Sequence, residues 1–259
     1  MTTPAPAELI DPIRAIAHMA GEVIMRYYDG GFEVRNKANN TPVTDADEAA
    51  EKLILAELSV LTPDVLIISE EAAAAGHMPE ATKLFWAVDP LDGTKEFINH
   101  NGEFAVCIGL VQDHRPVFGI VHGPALGVTY SAAGPGTAMC QDQDAAPYAI
   151  TARPASEDGV TVISSRSHQD SRRLKEYLAD VEVASRIYMG SALKFGLLAK
   201  GEADLYPRFG NTCEWDTAAG QAVLEAAGGS IKTFDGAPLR YGKPEYLNPG
   251  FVARGAPCR

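Results

Sequence analysis

The stretch FWAVDPLDGTKEF (85–97) limits the fold more than any other, because an apolar run changes character there within two residues. Its lead, LFWAV (84–88), has the length and the aromatic and branched content of a buried strand. Asp89 follows at once, then Pro90, which fixes φ and lacks an N–H, so the ladder is expected to stop there. Gly93 permits a tight turn. A strand that ends in this way carries Asp89 and Asp92 to the rim of a sheet, facing one point. Two carboxylates held that close repel unless a cation lies between them or one takes a proton, so the pattern favours a hard divalent ion. A lone DxxD is also the usual sign of an aspartate-rich turn capping the next helix, and on its own that is the commoner meaning. A calcium loop of the EF-hand kind fails on spacing, since it needs acids at positions 1, 3 and 5 and glycine at 6.

Two further acidic turns bear on the choice. The strand-like run VLII (65–68) leads to Glu70 and Glu71, and CEWDTAAG puts Asp216 where a helix begins, after Glu214 and Trp215. Each alone has an ordinary explanation, a solvated loop in one case and an N-cap in the other. Together the three turns supply what a multi-metal site needs, because ions about 3.5 to 4 Å apart share oxygen ligands from different elements. A formal net charge of -12 argues against a nucleic-acid polymer as partner, since polyphosphate binding relies on clustered Lys and Arg. A phosphate substrate would therefore need a local cation, and a divalent metal is the natural one.

Along the 259 residues, 46% of them apolar, helices and strands alternate. Ile10, Ile13, Ile16, Ala17, Ala20, Ile24 and Tyr27 recur at helical steps, and Thr44 with Asp47 resembles a capping box opening a second helix. The runs at 65–68, 84–88, 104–111, 116–121 and 127–132 predict a largely antiparallel sheet. The Gly, Pro, Ala and Asp rich passage 134–159 suggests a division into an N-terminal α+β lobe (1–134) and a C-terminal α/β lobe (135–259). In the second half, strands are expected at VTVISS, ADLYP and SIKTF, and helices at SRRLKEYLAD, SALKFGLLAK and DTAAGQAVLEAA. The fold class is α+β or α/β. No apolar run reaches the roughly 18 to 20 residues of a membrane span, and the first residues carry acids without a leading basic cluster, so a cytoplasmic protein is expected. The cysteines 107, 140, 213 and 258 form no CxxC pair, which fits reduced thiols.

Several chemistries have no carrier here. GxSxG and HExxH do not occur, GPGTAM lacks the third glycine of a dinucleotide loop, and GAPLRYGKP misses the Walker spacing. What does occur is the set DPLDGT (89–94), SEE (69–71), PVTDAD (42–47) and WDTAAG (215–220). This set resembles the motifs of the lithium-sensitive, magnesium-dependent phosphatases typified by inositol monophosphatase. DPLDGTKEFI, NGEFAV, SRSH, GSALKFGLLAKGEADLYPRFG and LNPGF narrow the resemblance to the CysQ-type 3'(2'),5'-bisphosphate nucleotidase branch.

The resemblance implies a layered α-β-α-β-α sandwich of the inositol monophosphatase and fructose-1,6-bisphosphatase type, and two or three magnesium ions. Glu70, Asp89 and the main-chain carbonyl of Leu91 would hold one ion, and Asp89, Asp92 and Asp216 a second. The Thr94 hydroxyl, bonded to Asp47, would orient the attacking water and help to deprotonate it, with Glu70 in the same catalytic group. Leu91, Asp92, Gly93, Thr94 and Asp216 would border the scissile phosphate, the backbone N–H groups of Gly93 and Thr94 receiving its oxygens. Ser191, Lys194 and Arg208 would contact the nucleotide and its 5'-phosphate; on the residues alone, Lys194 and Arg208 are as readily solvated. Arg166 and His168 are lesser candidates, Glu71 is expected behind the ligands, and Phe195 and Trp215 read as core. The implied reaction converts adenosine 3',5'-bisphosphate to AMP and phosphate, with 3'-phosphoadenosine 5'-phosphosulfate as a second substrate, in sulfur assimilation or nucleotide recycling. An inositol-phosphate or sugar-phosphate monoesterase shares the same metal core, and a non-catalytic metal- or phosphate-binding regulator is the alternative outside enzymes. Oligomeric state is open, as is peripheral contact with the inner face of the cell membrane.

Overall fold

A computed structural model describes residues 4–36, 42–166 and 171–257. The N-terminal periodicity forms α1 (Ile10–Gly30), which buries Ile13, Ile16, Ala17, Ala20 and Ile24 along one face. Helix α2 (Asp45–Leu61) starts where the capping box predicts, with the Thr44 N–H donating to Asp47 at 2.7 Å.

Both helices lie on a seven-stranded sheet that follows chain order: β1 (Leu66–Ser69), β2 (Leu84–Asp92), β3 (Ala105–Gln112), β4 (Arg115–Gly123), β5 (Val128–Ala132), β6 (Met139–Asp142) and β7 (Tyr148–Ala149). Only β1 and β2 pair in parallel; the rest is antiparallel. Short helices α3 (Glu70–Ala74) and α4 (Thr94–Ile98) leave the ends of β1 and β2. The division expected at 134/135 falls between β5 and β6, so the second half of the chain completes this sheet.

Strand β2 is buried on both faces, which is why its sequence shows no polar alternation. Trp86 and Val88 point to the core under α1 and α2, with Ile54, Leu58 and Phe118. Phe85 and Ala87 point the other way, into a second core. That core is filled by α6 (Leu193–Ala199) and α7 (Ala218–Ala226) of the later chain, while α5 (Ser171–Tyr177) takes no part in it. Phe195, Leu198, Val223 and Leu224 from α6 and α7 pack there between the two sheets. The second sheet has five strands, β8 (Val160–Ser165), β9 (Val183–Met189), β10 (Leu205–Arg208), β11 (Ser230–Thr233) and β12 (Phe251–Arg254), in the order β9-β8-β10-β12-β11. Leu174 of α5 packs beyond it on Val162, Leu205 and Val252. The layers are therefore α-β-α-β-α, as expected. Helix α7 sits directly on β4 because a Cβ at Gly119 would overlap the backbone of Ala219. That close approach carries Asp216, two residues before α7, down to the ends of β1 and β2.

Beneath α1, His18 and His122 share one hydroxyl: His18 Nε2 lies 3.0 Å and His122 Nδ1 2.9 Å from Thr129 Oγ1. A hydroxyl has a single proton, so at most one ring accepts from it and at least one ring donates to its oxygen; burial lowers the pKa of both rings and favours their neutral forms. Burial, then the neighbouring His18, pushes the pKa of His122 down to about 3. A lowered folded-state pKa gives stability that is present above the unfolded value near 6.5 and lost as pH falls through the window down to about 3. Each unit below 6.5 should cost about 1.4 kcal/mol for this one proton. Urea midpoints of wild type and His122→Gln at pH 7 and pH 5 check this: wild type should lose about 2 kcal/mol more than the variant across the interval. Equal losses would remove His122 from the acid response.

Candidate active site

Asp89 and Asp92 are three residues apart, and in a regular strand such residues face opposite sides. The ladder resolves this differently from the expectation that Pro90 ends it. Asp89 pairs with Cys107 and Asp92 with Ala105, so three steps on β2 match two on β3. The extra residue is a β-bulge, a place that tolerates the missing N–H of Pro90 and resets the side-chain phase. Both aspartates thereby reach one cleft. Gly93 then turns the chain at φ +96° into α4, with Glu103 O, Phe104 Cα and Ser191 Cβ only 3.2 to 3.3 Å from where a Cβ would be.

The cleft measures about 690 Å³ and lies where the two sheets meet. Its lining includes Glu70, Asp89, Leu91, Asp92, Gly93, Thr94, Ser191, Lys194, Arg208 and Asp216, which is every expected site residue except Asp47. Carboxylate oxygens of Glu70, Asp89 and Asp216 lie within 4.8 Å of one another. Glu70 opens α3, whose first N–H groups at Glu71 and Ala72 are capped by Glu51 at 3.1 and 3.2 Å. Asp89 is 2% exposed and accepts the Leu91 N–H at 3.0 Å. Asp92 accepts the Ala192 N–H at 2.5 Å.

These acids strain one another. Desolvation at the cleft floor raises the pKa of Asp92 to about 6, against the opposing pull of Lys194, with Glu70 and Glu96 adding to the rise. Desolvation, then Asp92 and Glu70, holds Asp216 well above the usual carboxylate range. An oxygen-rich, mutually repelling set of this kind fits a hard divalent cation, which removes the repulsion and needs such ligands. Asp47, 1% exposed, sits behind Thr94. Its Oδ2 accepts the N–H and the hydroxyl of Thr44 at 2.7 and 2.6 Å, leaving Oδ1 to accept the Thr94 hydroxyl at 3.1 Å. Of the two acceptors within reach of the Thr94 hydroxyl, Asp47 Oδ1 at 3.1 Å is nearer than Leu91 O at 3.4 Å, so the hydroxyl of this cleft-lining residue donates inward.

Lys194 is buried rather than solvated, at 4% exposure. Its Nζ donates to Ser191 O at 2.5 Å and lies 5.3 Å from the centre of the Tyr206 ring. Burial, against the pull of Asp92, lowers its pKa to about 8. Arg208 lines the same cleft from the end of β10, its Nη2 3.4 Å from Asn211 O. Arg166 is not part of the cleft lining: Glu103 takes it in a two-pronged ion pair at 2.6 and 2.8 Å. His168 lies outside the described residues. Phe195 and Trp215 are core, at 2% and 5% exposure, and also contribute to the cleft lining.

Sequence reasoning passed over the supports of the 212–217 turn. Glu214 is fully buried and accepts the N–H groups of Gly242 and Lys243 and the Lys243 ammonium, at 2.7, 2.9 and 2.5 Å. Asn248 of the LNPGF motif donates to Cys213 O and Thr217 Oγ1 at 2.8 and 2.9 Å. The partners are more than twenty residues away, so no local pattern announces them.

The five layers and the acidic cleft at the ends of β1 and β2 define a class. The inositol monophosphatase family model matches residues 6–255, and the chain belongs to that family. Within it, the chain is 45% identical to the 3'(2'),5'-bisphosphate nucleotidase CysQ of Escherichia coli (strain K12), over 94% of this chain and 98% of the relative. Among solved structures, CysQ from Bacteroides thetaiotaomicron superposes with a TM-score of 0.76 at 35% identity, covering 93% of this chain and 94% of that one. An inositol monophosphatase from Zymomonas mobilis superposes at 0.78 and 24% identity, over 98% and 94%, which speaks to the fold alone.

Proposed function

We propose that the chain is a magnesium-dependent 3'(2'),5'-bisphosphate nucleotidase that converts adenosine 3',5'-bisphosphate to AMP and phosphate, with 3'-phosphoadenosine 5'-phosphosulfate as a second substrate. The observation that carries this reading is the joint presence, in one cleft, of the Glu70, Asp89 and Asp216 oxygens and of two cations, Lys194 and Arg208. A substrate with two phosphates has a use for both; a monoester needs only the first. The near full-length identity to a CysQ nucleotidase supports the same choice.

Glu70, Asp89, Asp92, Asp216 and the carbonyl of Leu91 would hold the magnesium. When bound, magnesium neutralises the phosphate and the leaving alkoxide and makes the attacking water more acidic. Thr94 accepts a hydrogen bond from that water, because its own proton is committed to Asp47. Asp47 in turn is the base that can draw the proton inward through the hydroxyl. The N–H groups of Gly93 and Thr94 face the transferring phosphate at the first turn of α4. Ser191, Lys194 and Arg208, which line the same cleft, receive the 5'-phosphate by charge-assisted hydrogen bonds. Among the described residues no helix is long and apolar enough to cross a membrane, and the reading carries a cytoplasmic setting.

Phosphate release from adenosine 3',5'-bisphosphate, 3'-AMP, inositol monophosphate and fructose bisphosphate tests it. The bisphosphonucleotide should have the highest kcat/KM. Arg208→Ala, and Lys194→Met with its stem retained, should each lower that value by roughly 10- to 150-fold. Arg208→Ala should leave 3'-AMP within a few-fold, since it offers no second phosphate, and Lys194→Met should cost 3'-AMP clearly less than the bisphosphate, the remainder coming from the charge withdrawn from Asp92. Equal losses on both substrates would return the site to a monoesterase.

A further inference from the structure

We propose that Glu103 is a positioning residue whose carboxylate sets the 190–192 turn and, through it, the aim of Asp92 and Lys194. The choice of substrate in the test rests on the nucleotidase reading; the geometry does not. Glu103 precedes β3 and lies outside the cleft lining. Its Oε2 accepts the Gly190 N–H at 2.8 Å and Arg166 Nε at 2.8 Å, and its Oε1 accepts Arg166 Nη2 at 2.6 Å. Arg166 Nη2 donates once more, to Tyr188 O at 2.9 Å. One carboxylate therefore ties together the approach to β3, the end of β8 and the turn that follows β9.

That turn is the part of the site most in need of a tie. Ser191 adopts φ +49°, a region that non-glycine residues occupy only when their surroundings hold them there. Gly190 has no room for a side chain, since a Cβ would lie 2.5 Å from Glu103 O and 2.6 Å from Glu96 Cγ. On the other side Ser191 Cβ abuts Gly93. Two groups of the site take their direction from this wedge: Asp92 from the Ala192 N–H, and the Lys194 ammonium from Ser191 O. Without the Glu103 carboxylate the Gly190 N–H loses its acceptor, Ser191 is free to relax, and both directions are lost together.

The competing account is a surface ion pair between Glu103 and Arg166, which would matter little to activity. Two variants separate them. Glu103→Gln, close to isosteric, keeps an oxygen for the Gly190 N–H and gives up the charge on Arg166. Glu103→Ala gives up both. For adenosine 3',5'-bisphosphate, Glu103→Ala should lower kcat/KM by roughly 10- to 100-fold, with kcat falling and KM rising together, the scale of a hydrogen bond to a charged group. Glu103→Gln should recover to within about 5-fold of wild type. In protein without substrate or metal, amide hydrogen exchange across 190–193 should quicken in Glu103→Ala and stay near wild type in Glu103→Gln. Equal impairment of the two variants, or unchanged exchange in Glu103→Ala, would overturn the proposal. A wild type inactive on adenosine bisphosphate would instead sink the nucleotidase reading, and the exchange measurement would still decide the role of Glu103.

Discussion

Asp89→Asn should leave the protein folded and reduce phosphate release by roughly 10³-fold or more. The fold survives because the variant keeps an oxygen for the Leu91 N–H, the contact that shapes the bulge. Function does not survive, because Asp89 is the most enclosed of the three acids whose oxygens converge, at 2% exposure. A neutral amide is a poor ligand for magnesium, and forfeiting about 4 kcal/mol of charge stabilisation corresponds to that factor. Thermal melts give an independent reading. Magnesium should raise the Tm of wild type, by relieving repulsion among Asp89, Asp92, Asp216 and Glu70, and should do much less for the variant. Wild type should lose activity in EDTA and regain it with magnesium. Full turnover in chelator, or an undiminished magnesium shift in Asp89→Asn, would defeat the metal-centred mechanism.

Thr94→Ala and Asp47→Asn should each slow turnover by roughly 10²-fold, the ordinary scale of a general-base contribution, while the magnesium-induced rise in Tm stays intact. Neither side chain belongs to the converging acid set, so metal binding has no reason to change. Their linkage is direct, through the 3.1 Å bond from the Thr94 hydroxyl to Asp47 Oδ1, with Asp47 Oδ2 pinned by Thr44. Groups that act as one unit are non-additive, so the double variant should be about as slow as either single one. Losses that multiply to roughly 10⁴-fold would mean two separate contributions and no relay.

The sequence by itself determined the elements whose cause is local or periodic. Helix α1 is legible from the spacing of Ile13, Ile16, Ala20 and Ile24, and α2 from Thr44 and Asp47, because capping and amphipathicity act within four residues. Strands β2 to β5 are legible because both faces of the sheet are covered, which demands continuous apolar runs. The acidic turns at 70, 89–92 and 216 stand out for a similar reason: charge at the end of a buried strand or the start of a helix is conspicuous in the chain itself.

Tertiary structure decided what depends on register and distant partners. Strand β9 carries exposed Ser185, Arg186 and Tyr188, so its sequence shows no buried face, and only pairing with β8 makes it a strand. Whether Asp89 and Asp92 share a side rests on one extra residue against β3, which no composition of β2 reveals. Lys194 could read as solvated until α6 was packed with its ammonium turned back onto Ser191 O, and Arg166 as a substrate contact until Glu103, sixty-three residues earlier, claimed it. A side chain's chemistry is written at its own position. Its direction, its burial and its partner are set by backbone that arrives from elsewhere, and in this protein those three decide which charges meet in the cleft.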